Sequence, residues 1–275
     1  MTRASACLGL AVAAYGVLGS PCGAGVRDYV IRAVADPDRP AEQRARDRER
    51  QPAALLAFAE VHPGEQVADF MSGGGYFTRP FSRVVGGSGH VYAFVPQEQL
   101  ANCAPEETAG TRALERDARY RNLTVITGPV GAFRPPEPLD LIWTSLNFHD
   151  LYDSFMGPAD VSQVSRARYA ALKPGGELLV IDHVAPAGSG TRDTDTLHRV
   201  DPEVIMRAAA AAGFRLEARS DLLRNPRDAD RLSVFDAAIR GHTDQVILKF
   251  RKPPATAPLA RAWPAATRHA YPAWL

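Results

Sequence analysis

Val67-Ala-Asp-Phe-Met-Ser-Gly-Gly-Gly-Tyr-Phe-Thr78 predicts a short apolar strand that ends near an acidic residue and turns through glycines into a helix. Glycines at such a turn let a ligand approach the backbone closely, and free backbone amides bind its polar groups. Much later, Leu172-Lys-Pro-Gly-Gly-Glu-Leu-Leu-Val-Ile-Asp-His183 predicts a helix end, a turn and a buried strand. Together the two segments predict a ligand crevice at the carboxyl ends of parallel strands.

Strands and helices alternate along the rest of the chain. We predict strands at residues 67–70, 90–95, 123–127, 139–145, 178–182, 214–220 and 244–250. Helices are predicted at residues 29–35, 41–60, 78–85, 106–119, 161–172 and 202–212. Pro52 favours a fresh helix start at Gln51 inside the second. This alternation predicts an α/β fold, a doubly wound and mostly parallel sheet with an antiparallel last strand.

Composition is that of an ordinary globular protein. The 275 residues are 45% hydrophobic and 23% charged, which suits one large domain with a core. The net charge of +1 gives no sign of a nucleic-acid or anionic-membrane partner, and the oligomeric state is not predicted. Because no Cys and His residues recur at ligand spacing, we expect no metal site.

The first 24 residues have the layout of a secretory signal peptide. A basic residue, Arg3, precedes an apolar run at residues 8–18, and small residues lead to a cut after Ala24. The run is short for a membrane span of about 20 residues, so we expect no stable membrane insertion once the leader is removed. The predicted location is periplasmic or secreted. Two alternatives stay open, a retained anchor and a cytoplasmic protein whose apolar start is only a helix.

The chain divides into four predicted parts. A signal peptide covers residues 1–24, a helical lead segment 25–50, the main domain 51–252, and a Pro- and Ala-rich tail 253–275. The tail is typical of a mobile segment or of a strap across the surface.

The acidic strand end, the glycine turn and the Lys-Pro-Gly-Gly turn resemble those of class I S-adenosylmethionine (SAM) dependent methyltransferases. The similarity is greatest to a group of bacterial methyltransferases with leader peptides and covers roughly residues 40–252. It implies a Rossmann-like methyltransferase fold, SAM as the cofactor and a small-molecule acceptor. The cofactor-binding residues that it implies are Asp69, Ser72, Gly73, Gly74, Gly75 and Tyr76, with a lead helix around Arg46, Asp47 and Arg50 folded over the cofactor.

Three positions depart from the family pattern. Met71 stands where the first glycine of the motif is expected, and Val95 and Pro96 stand where a carboxylate takes the ribose hydroxyls. Pro129 follows the third strand where the family commonly has a carboxylate for adenine. The nearest polar substitutes are Gln97 and Glu98, and we include Glu98 among the cofactor-binding residues. Each lost charge-assisted hydrogen bond costs about 1.5–3 kcal/mol, which weakens a site without abolishing it.

Two further functions compete with methyl transfer. A non-catalytic ligand-binding protein on a methyltransferase scaffold accounts for the missing carboxylates. A dinucleotide dehydrogenase ranks lower, because its fingerprint requires glycine at Thr78 and an acid about 20 residues later.

Polar side chains follow the fourth predicted strand. Asn147 is expected to orient the acceptor through its amide, and His149 to take a proton from it. Asp150 or Asp153 is expected to hold the imidazole, and His149, Asp150 and Asn147 are the candidate catalytic residues. The alternative is that His149 only caps the next segment and packs against Tyr152.

A second polar group surrounds the end of the fifth predicted strand. Asp182 and His183 end this strand and are expected at the mouth of the crevice. His198 and Arg199 lie in the following connection, where capping does not explain them. We expect His183, His198 and Arg199 to bind the substrate.

Overall fold

The computed structural model describes residues 26–157 and 159–254. The predicted signal peptide and all but the first residues of the predicted tail lie outside the described residues. Among the described helices, none is both long and apolar enough to cross a membrane.

Seven strands form one sheet, which confirms the predicted α/β fold. The strands are β1 Gln66–Phe70, β2 His90–Pro96, β3 Leu123–Gly128, β4 Leu139–Ser145, β5 Leu172–His183, β6 Arg215–Ser220 and β7 Gln245–Arg251. Their order is β3-β2-β1-β4-β5-β7-β6, and the first five are mutually parallel. The last strand, β7, runs antiparallel to both of its neighbours, as predicted.

Ten α-helices accompany the sheet in the described residues. They are α1 Asp28–Val34, α2 Ala41–Ala45, α3 Asp47–Arg50, α4 Pro52–Phe58, α5 Thr78–Val85, α6 Gln97–Asn102, α7 Glu106–Leu114, α8 Val161–Ala171, α9 Thr194–Leu197 and α10 Pro202–Ala211.

Each face of the sheet is buried by its own helices, because alternate residues of a strand point to opposite faces. Phe70 and Ile142 belong to the apolar cluster that includes residues of α8 and α10. Val67 and Trp143, on the other face, belong to the cluster that includes residues of α1, α4 and α5. Helices therefore cover both faces of a central parallel sheet, and polar groups are left to the strand ends.

The predicted and observed element bounds differ at several places, and the helix predicted at residues 106–119 ends at Leu114. Helix α8 ends at Ala171, and the Lys-Pro-Gly-Gly segment belongs to an irregular start of β5. There the pairing with β4 shifts register, because Leu139 faces Leu172 whereas Leu141 faces Glu177. The predicted helix at residues 41–60 is three short helices, and the last begins at Pro52, one residue after the predicted start at Gln51.

Candidate functional site

A cavity of about 1130 Å³ opens beside the carboxyl ends of β4 and β5. Its floor includes side chains that directly follow β4 and end β5, and its walls come from α3, α6 and the connection before β7. The cavity is lined by both charged and apolar groups, among them Arg50, Glu107, Leu146, His149, Asp150, His183, His198, Phe235 and Thr243. This mixture suits a small polar molecule with an apolar part.

The glycine turn after β1 has the sharp geometry that its sequence predicts. Gly73 and Gly75 have φ angles of 53° and 77°, in the left-handed region that glycine adopts without cost. Met71 has a φ of 60° and carries a side chain in the same region, where the family motif has glycine. A left-handed residue with a side chain costs about 1–2 kcal/mol, so the turn is held by its surroundings.

Asp69, on β1, is hydrogen-bonded to the residue that follows this turn. Its carboxylate is buried and accepts a hydrogen bond of 2.6 Å from the Thr78 hydroxyl at the start of α5. Burial raises the pKa of Asp69 to about 6, against the opposing effects of Thr78 and Arg50. The carboxylate is therefore ionised at neutral pH, although its burial disfavours the charged form.

Helix α7 covers the glycine turn. The Thr111 hydroxyl donates to the carbonyl oxygen of Gly73 over 2.7 Å. Gly110 lies so close that a Cβ atom there would be 2.6 Å from the carbonyl oxygen of Gly74. Arg79 also donates to the Gly74 carbonyl oxygen, over 2.9 Å.

The lead segment folds onto the same turn. The Gln43 amide donates to the Gly74 carbonyl oxygen, and the Tyr76 hydroxyl donates to Asp47 over 2.6 Å. The Arg50 guanidinium lies 4.2 Å from the centre of the Tyr76 ring and donates to the Ser145 hydroxyl over 3.0 Å. Desolvation lowers the pKa of Arg50 to about 10, so it stays cationic at the cavity wall.

Two of the other predicted cofactor-binding residues differ in their surroundings. Both carboxylate oxygens of Glu98 accept from the Val130 backbone amide, next to the position of Pro129. The Ser72 hydroxyl is buried without a hydrogen bond among the described residues. The glycines, Ser72 and Glu98 lie outside the lining of the large cavity, which includes Arg50 and Glu107.

The Asn147 amide joins the ends of β1 and β4. Its nitrogen donates to the carbonyl oxygens of Phe70 and Met71, and its oxygen accepts from Thr144. These bonds hold the strained Met71 turn, and Asn147 is buried behind the cavity.

His149 is held by a carboxylate from the neighbouring strand. Its Nδ1 lies 2.7 Å from Oδ1 of Asp182, whose other oxygen accepts from the His149 backbone amide over 2.8 Å. Oδ1 of Asp182 also accepts from the His183 amide. Burial opposes the charged ring, but Asp182 and Asp150 outweigh it and raise the pKa of His149 well above its usual range.

The other nitrogen of His149 faces a polar cluster. Nε2 lies 3.0 Å from Oδ1 of Asp150 and 3.3 Å from Nδ1 of His198. Asp153 is buried, and its Oδ2 lies 3.7 Å from the same His198 nitrogen. The structure thus brings His149 and Asp150 together with His198, a predicted substrate-binding residue 48 positions further along the chain.

The remaining two predicted substrate-binding residues have different settings. His183 lines the cavity, and its Nδ1 lies 2.7 Å from the Thr243 hydroxyl. Burial and the nearby His149 lower the pKa of His183 well below its usual range, so the ring is neutral. Arg199 is buried behind the cavity, where it bonds the Asp228 carboxylate and the Val184 and Leu232 carbonyl oxygens.

Some residues of this site were not assigned their roles from the sequence. Asp182 was expected only near the crevice mouth, yet it is the carboxylate that orients His149. Thr243 and Phe235 come from the connection between β6 and β7, where the sequence has no motif. The adjacency of β4 and β5 in the sheet was the signal for Asp182, because the ends of neighbouring parallel strands meet.

Comparison with curated proteins gives relatives of moderate similarity. The chain is 27% identical over 190 residues to the ubiquinone/menaquinone biosynthesis C-methyltransferase UbiE of Vibrio vulnificus. The UbiE of Vibrio campbellii is 26% identical over the same length. In each case the match covers 69% of this chain and 62% of the relative, so the chain spans less than two thirds of the relatives' length. No protein-family model matches the chain.

Solved structures share the fold. The crystal structure of the [4+2]-cyclase SpnF matches with a TM-score of 0.54 and 17% identity, over 82% of this chain and 92% of that one. A SAM-dependent methyltransferase from Aquifex aeolicus matches with a TM-score of 0.50 and 16% identity, over 72% and 88% of the two chains. The chain therefore has a Rossmann-like methyltransferase fold, a fold that also carries a cyclase.

Proposed function

We propose that the protein is a SAM-dependent methyltransferase that acts on a small molecule bound in the large cavity. The observation that carries the proposal is the convergence of Asp69, His149 and Asp182 at the carboxyl ends of β1, β4 and β5 in this fold. Open α/β sheets bind their ligands at this edge. The similarity to C-methyltransferases over 190 residues supports the same reaction class.

The cofactor and the acceptor are assigned to two neighbouring parts of this edge. SAM is proposed to bind at the glycine turn, where the ionised Asp69 holds its amine and Arg50 borders the acceptor side. Glu98, beside the end of β2, is proposed to take the place of the missing ribose carboxylate. Helix α7 shields the turn, so binding of SAM includes a displacement of α7.

The acceptor is proposed to lie against His149, His183 and His198. Methyl transfer needs in-line positioning of the nucleophile and the methyl group, which a walled cavity supplies. The UbiE relatives are named C-methyltransferases, which indicates transfer to carbon, so a first acceptor screen includes phenolic rings. The exposed ring of Phe235 at the cavity wall offers an apolar surface to such a ring.

Calorimetric titration of SAM and S-adenosylhomocysteine into the full chain tests the proposal. We expect saturable binding with a micromolar Kd, weakened at least tenfold by Asp69→Asn, which keeps an oxygen for Thr78 but removes the charge. Asp160→Asn, which changes an exposed carboxylate at the start of α8, is the matched control. No heat up to millimolar ligand contradicts the proposal.

The second candidate is a non-catalytic ligand-binding protein on the same scaffold. It is favoured by the cover over the glycine turn and by the absence of carboxylates at Val95 and Pro129. The same titration separates the two functions. Binding of a small molecule in the cavity without any binding of SAM supports the second candidate.

We also propose that the protein is exported and acts in the periplasm or outside the cell. The support is the sequence pattern of residues 1–24. Amino-terminal sequencing of the mature protein tests this, with Gly25 expected as the first residue. An intact Met1 in the cytoplasmic fraction contradicts it and removes the question of how SAM, made in the cytoplasm, reaches an exported enzyme.

A further inference from the structure

Four potential metal ligands converge at one end of the cavity. They come from two segments, the turn after β4 and the end of α9, and they are His149, Asp150, Asp153 and His198. One ligand atom from each lies within 4.8 Å of every other.

The spacing of these atoms is that of a metal coordination sphere. Nε2 of His149 and Nδ1 of His198 are 3.3 Å apart, and Nε2 is 3.0 Å from Oδ1 of Asp150. Two ligands bound to zinc at about 2.1 Å and at a tetrahedral angle lie about 3.4 Å apart. One cation therefore fits between these atoms with small shifts of the side chains.

His149 is oriented as metal-binding histidines are. Its Nδ1 faces Asp182, which is itself held by the backbone amides of His149 and His183. A carboxylate on one imidazole nitrogen fixes the tautomer and directs the lone pair of the other nitrogen outward. Nε2 of His149 is thus presented to Asp150 and His198 as a ligand.

Asp153 supplies an independent observation. It is 1% exposed, and neither of its carboxylate oxygens has a conventional hydrogen bond among the described residues. A buried carboxylate without a hydrogen-bond donor is costly, and such groups are normally paired or bound to a metal. Nδ1 of the His198 ring lies 3.7 Å from Oδ2 of Asp153, on the side of the cluster where a cation would lie.

The cluster is open on one side only. His149, Asp150 and His198 line the cavity, and Asp153 lies behind them. A site with protein ligands on one side and an open side toward a cavity keeps a position for water or substrate, as catalytic metal sites do.

We propose that His149, Asp150, Asp153 and His198 bind one divalent transition-metal ion, with zinc as the best fit. Two imidazoles and two carboxylates suit zinc, cobalt, manganese or iron, whereas magnesium and calcium prefer oxygen ligands alone. The proposal replaces the expectation of no metal, which considered only spacing along the chain. It stands without the methyltransferase assignment, because every residue that carries it belongs to the cluster.

The open position of the ion determines the ligand class. Zinc and similar ions polarise a bound oxygen and lower the pKa of a bound hydroxyl group. If the methyltransferase proposal holds, the acceptor is therefore a molecule with a hydroxyl or carbonyl oxygen that reaches the ion from the cavity. Only this assignment of the acceptor rests on the proposed function.

Cobalt and zinc titrations of the full chain test the metal site. The protein is first stripped with a chelator, and Co²⁺ is added while the visible absorption is recorded, followed by displacement with Zn²⁺. We expect one equivalent of each ion, a cobalt spectrum with nitrogen and oxygen ligation, and a zinc Kd below about one micromolar.

His198→Asn is the first variant. His198 has a left-handed φ of 53°, a conformation that asparagine tolerates, so the backbone is preserved while the imidazole is lost. We expect its zinc affinity to fall at least 100-fold. His62→Asn is the matched control, because His62 is exposed in the turn before β1, and it should bind as the wild type does.

Asp153→Asn is the second variant, and it keeps the test decisive if His198→Asn fails to fold. It removes a ligand charge and leaves the shape of the side chain, and circular dichroism checks the fold of each variant. Wild-type protein that takes up no zinc at micromolar concentration overturns the proposal, as does unchanged affinity in both cluster variants. SAM binding is measured on the same samples, so loss of the metal site and failure of the methyltransferase proposal give different results.

Discussion

The carboxyl edge of the sheet has two regions that differ in how completely their polar groups are hydrogen-bonded. In the glycine-turn region, residues 69–76, the carbonyl oxygens of Gly73 and Gly74 accept hydrogen bonds from Thr111, Arg79 and Gln43. In the His149 cluster, which is His149, Asp150, Asp153, Asp182 and His198, the Asp153 oxygens have no such donors, and three of the five residues face the cavity.

This difference indicates which region is closed and which is ready for a ligand. A turn whose carbonyls are satisfied by helix α7 and the lead segment is stable as it stands, and a ligand must displace a cover. A cluster in which one buried carboxylate, that of Asp153, lacks hydrogen-bond donors is incomplete by itself, so an added cation stabilises it.

The largest effect is expected from Asp182→Ala. This change leaves the His149 ring and two buried backbone amides without their acceptor, so the free energy of unfolding should fall by about 3–5 kcal/mol. Chemical denaturation measures it. Asp182→Asn, which still accepts from the amides, should lose less, and a loss below about 1 kcal/mol for the alanine variant contradicts the holding role of Asp182.

Gly110→Ala tests the cover over the glycine turn. In the middle of a helix, glycine to alanine normally stabilises by up to about 1 kcal/mol. Here the new Cβ would lie 2.6 Å from the Gly74 carbonyl oxygen, so we expect a loss of about 2 kcal/mol instead. The sign of the change in melting temperature therefore decides whether α7 packs on the turn.

The control for this change is Gly87→Ala. Gly87 is exposed and has nothing within 4 Å of an added Cβ, so its stability should stay nearly constant. Equal effects of the two substitutions would show that α7 does not rest on Gly74.

The sequence was enough to predict the sheet. Apolar runs and glycine turns recur at strand spacing, and the central strands are so apolar that only burial on both faces suits them. The antiparallel direction of β7 was predicted, because the last two predicted strands are typical of a hairpin-like pair at the sheet edge. The sequence did not predict the register slip between Leu139 and Leu141, the short helices α6 and α9, the end of α7 at Leu114 or the division of the helix at residues 41–60 into three.

The candidate site was predicted less completely, for a physical reason. His149 and Asp150 are neighbours in the chain, but their partners Asp182 and His198 join them only through the β4-β5 pairing and the connection to α10. For Asn147, by contrast, the sequence suggested a role that the structure does not show. Its position at a strand end suggested acceptor binding, and its amide instead holds the Met71 turn, a bond that no local pattern contains.

Asp153→Asn is expected to stabilise the metal-free protein. In the presence of a chelator, the substitution removes a buried charge without conventional hydrogen bonds, so the free energy of unfolding should rise by about 1 kcal/mol. Thermal denaturation measures the change. Asp195→Asn is the control, because Asp195 is exposed and accepts from Ser154, and it should not gain stability.

With zinc added, the wild type should become more stable than the Asp153→Asn variant, the reverse of the order expected without metal. The ion binds the complete set of ligands more tightly, so the wild type should gain more melting temperature than Asp153→Asn. An equal zinc effect on both proteins would separate Asp153 from the proposed ligand set while leaving its burial cost unchanged.

The smallest effect concerns pH and returns to the glycine-turn region. The pKa of Asp69 is raised from 3.8 to about 6 in the folded protein, mainly by burial. Between these two values the folded state binds more protons at Asp69 than the unfolded state, so this group adds stability as the pH falls. From pH 7 to pH 5, the wild type should gain about 1 kcal/mol relative to Asp69→Asn in chemical denaturation.

Asp117→Asn is the control for this pH dependence, because the pKa of Asp117 is lowered and not raised. The side-chain hydrogen bond from Arg119 lowers the pKa of Asp117 to about 2, so neither its folded nor its unfolded state titrates between pH 7 and pH 5. Its difference from the wild type should stay constant over that range. If the Asp69→Asn difference is also constant, the Asp69 carboxylate is not desolvated, and the cover of α7 and the lead segment over the glycine turn is looser than the structure shows.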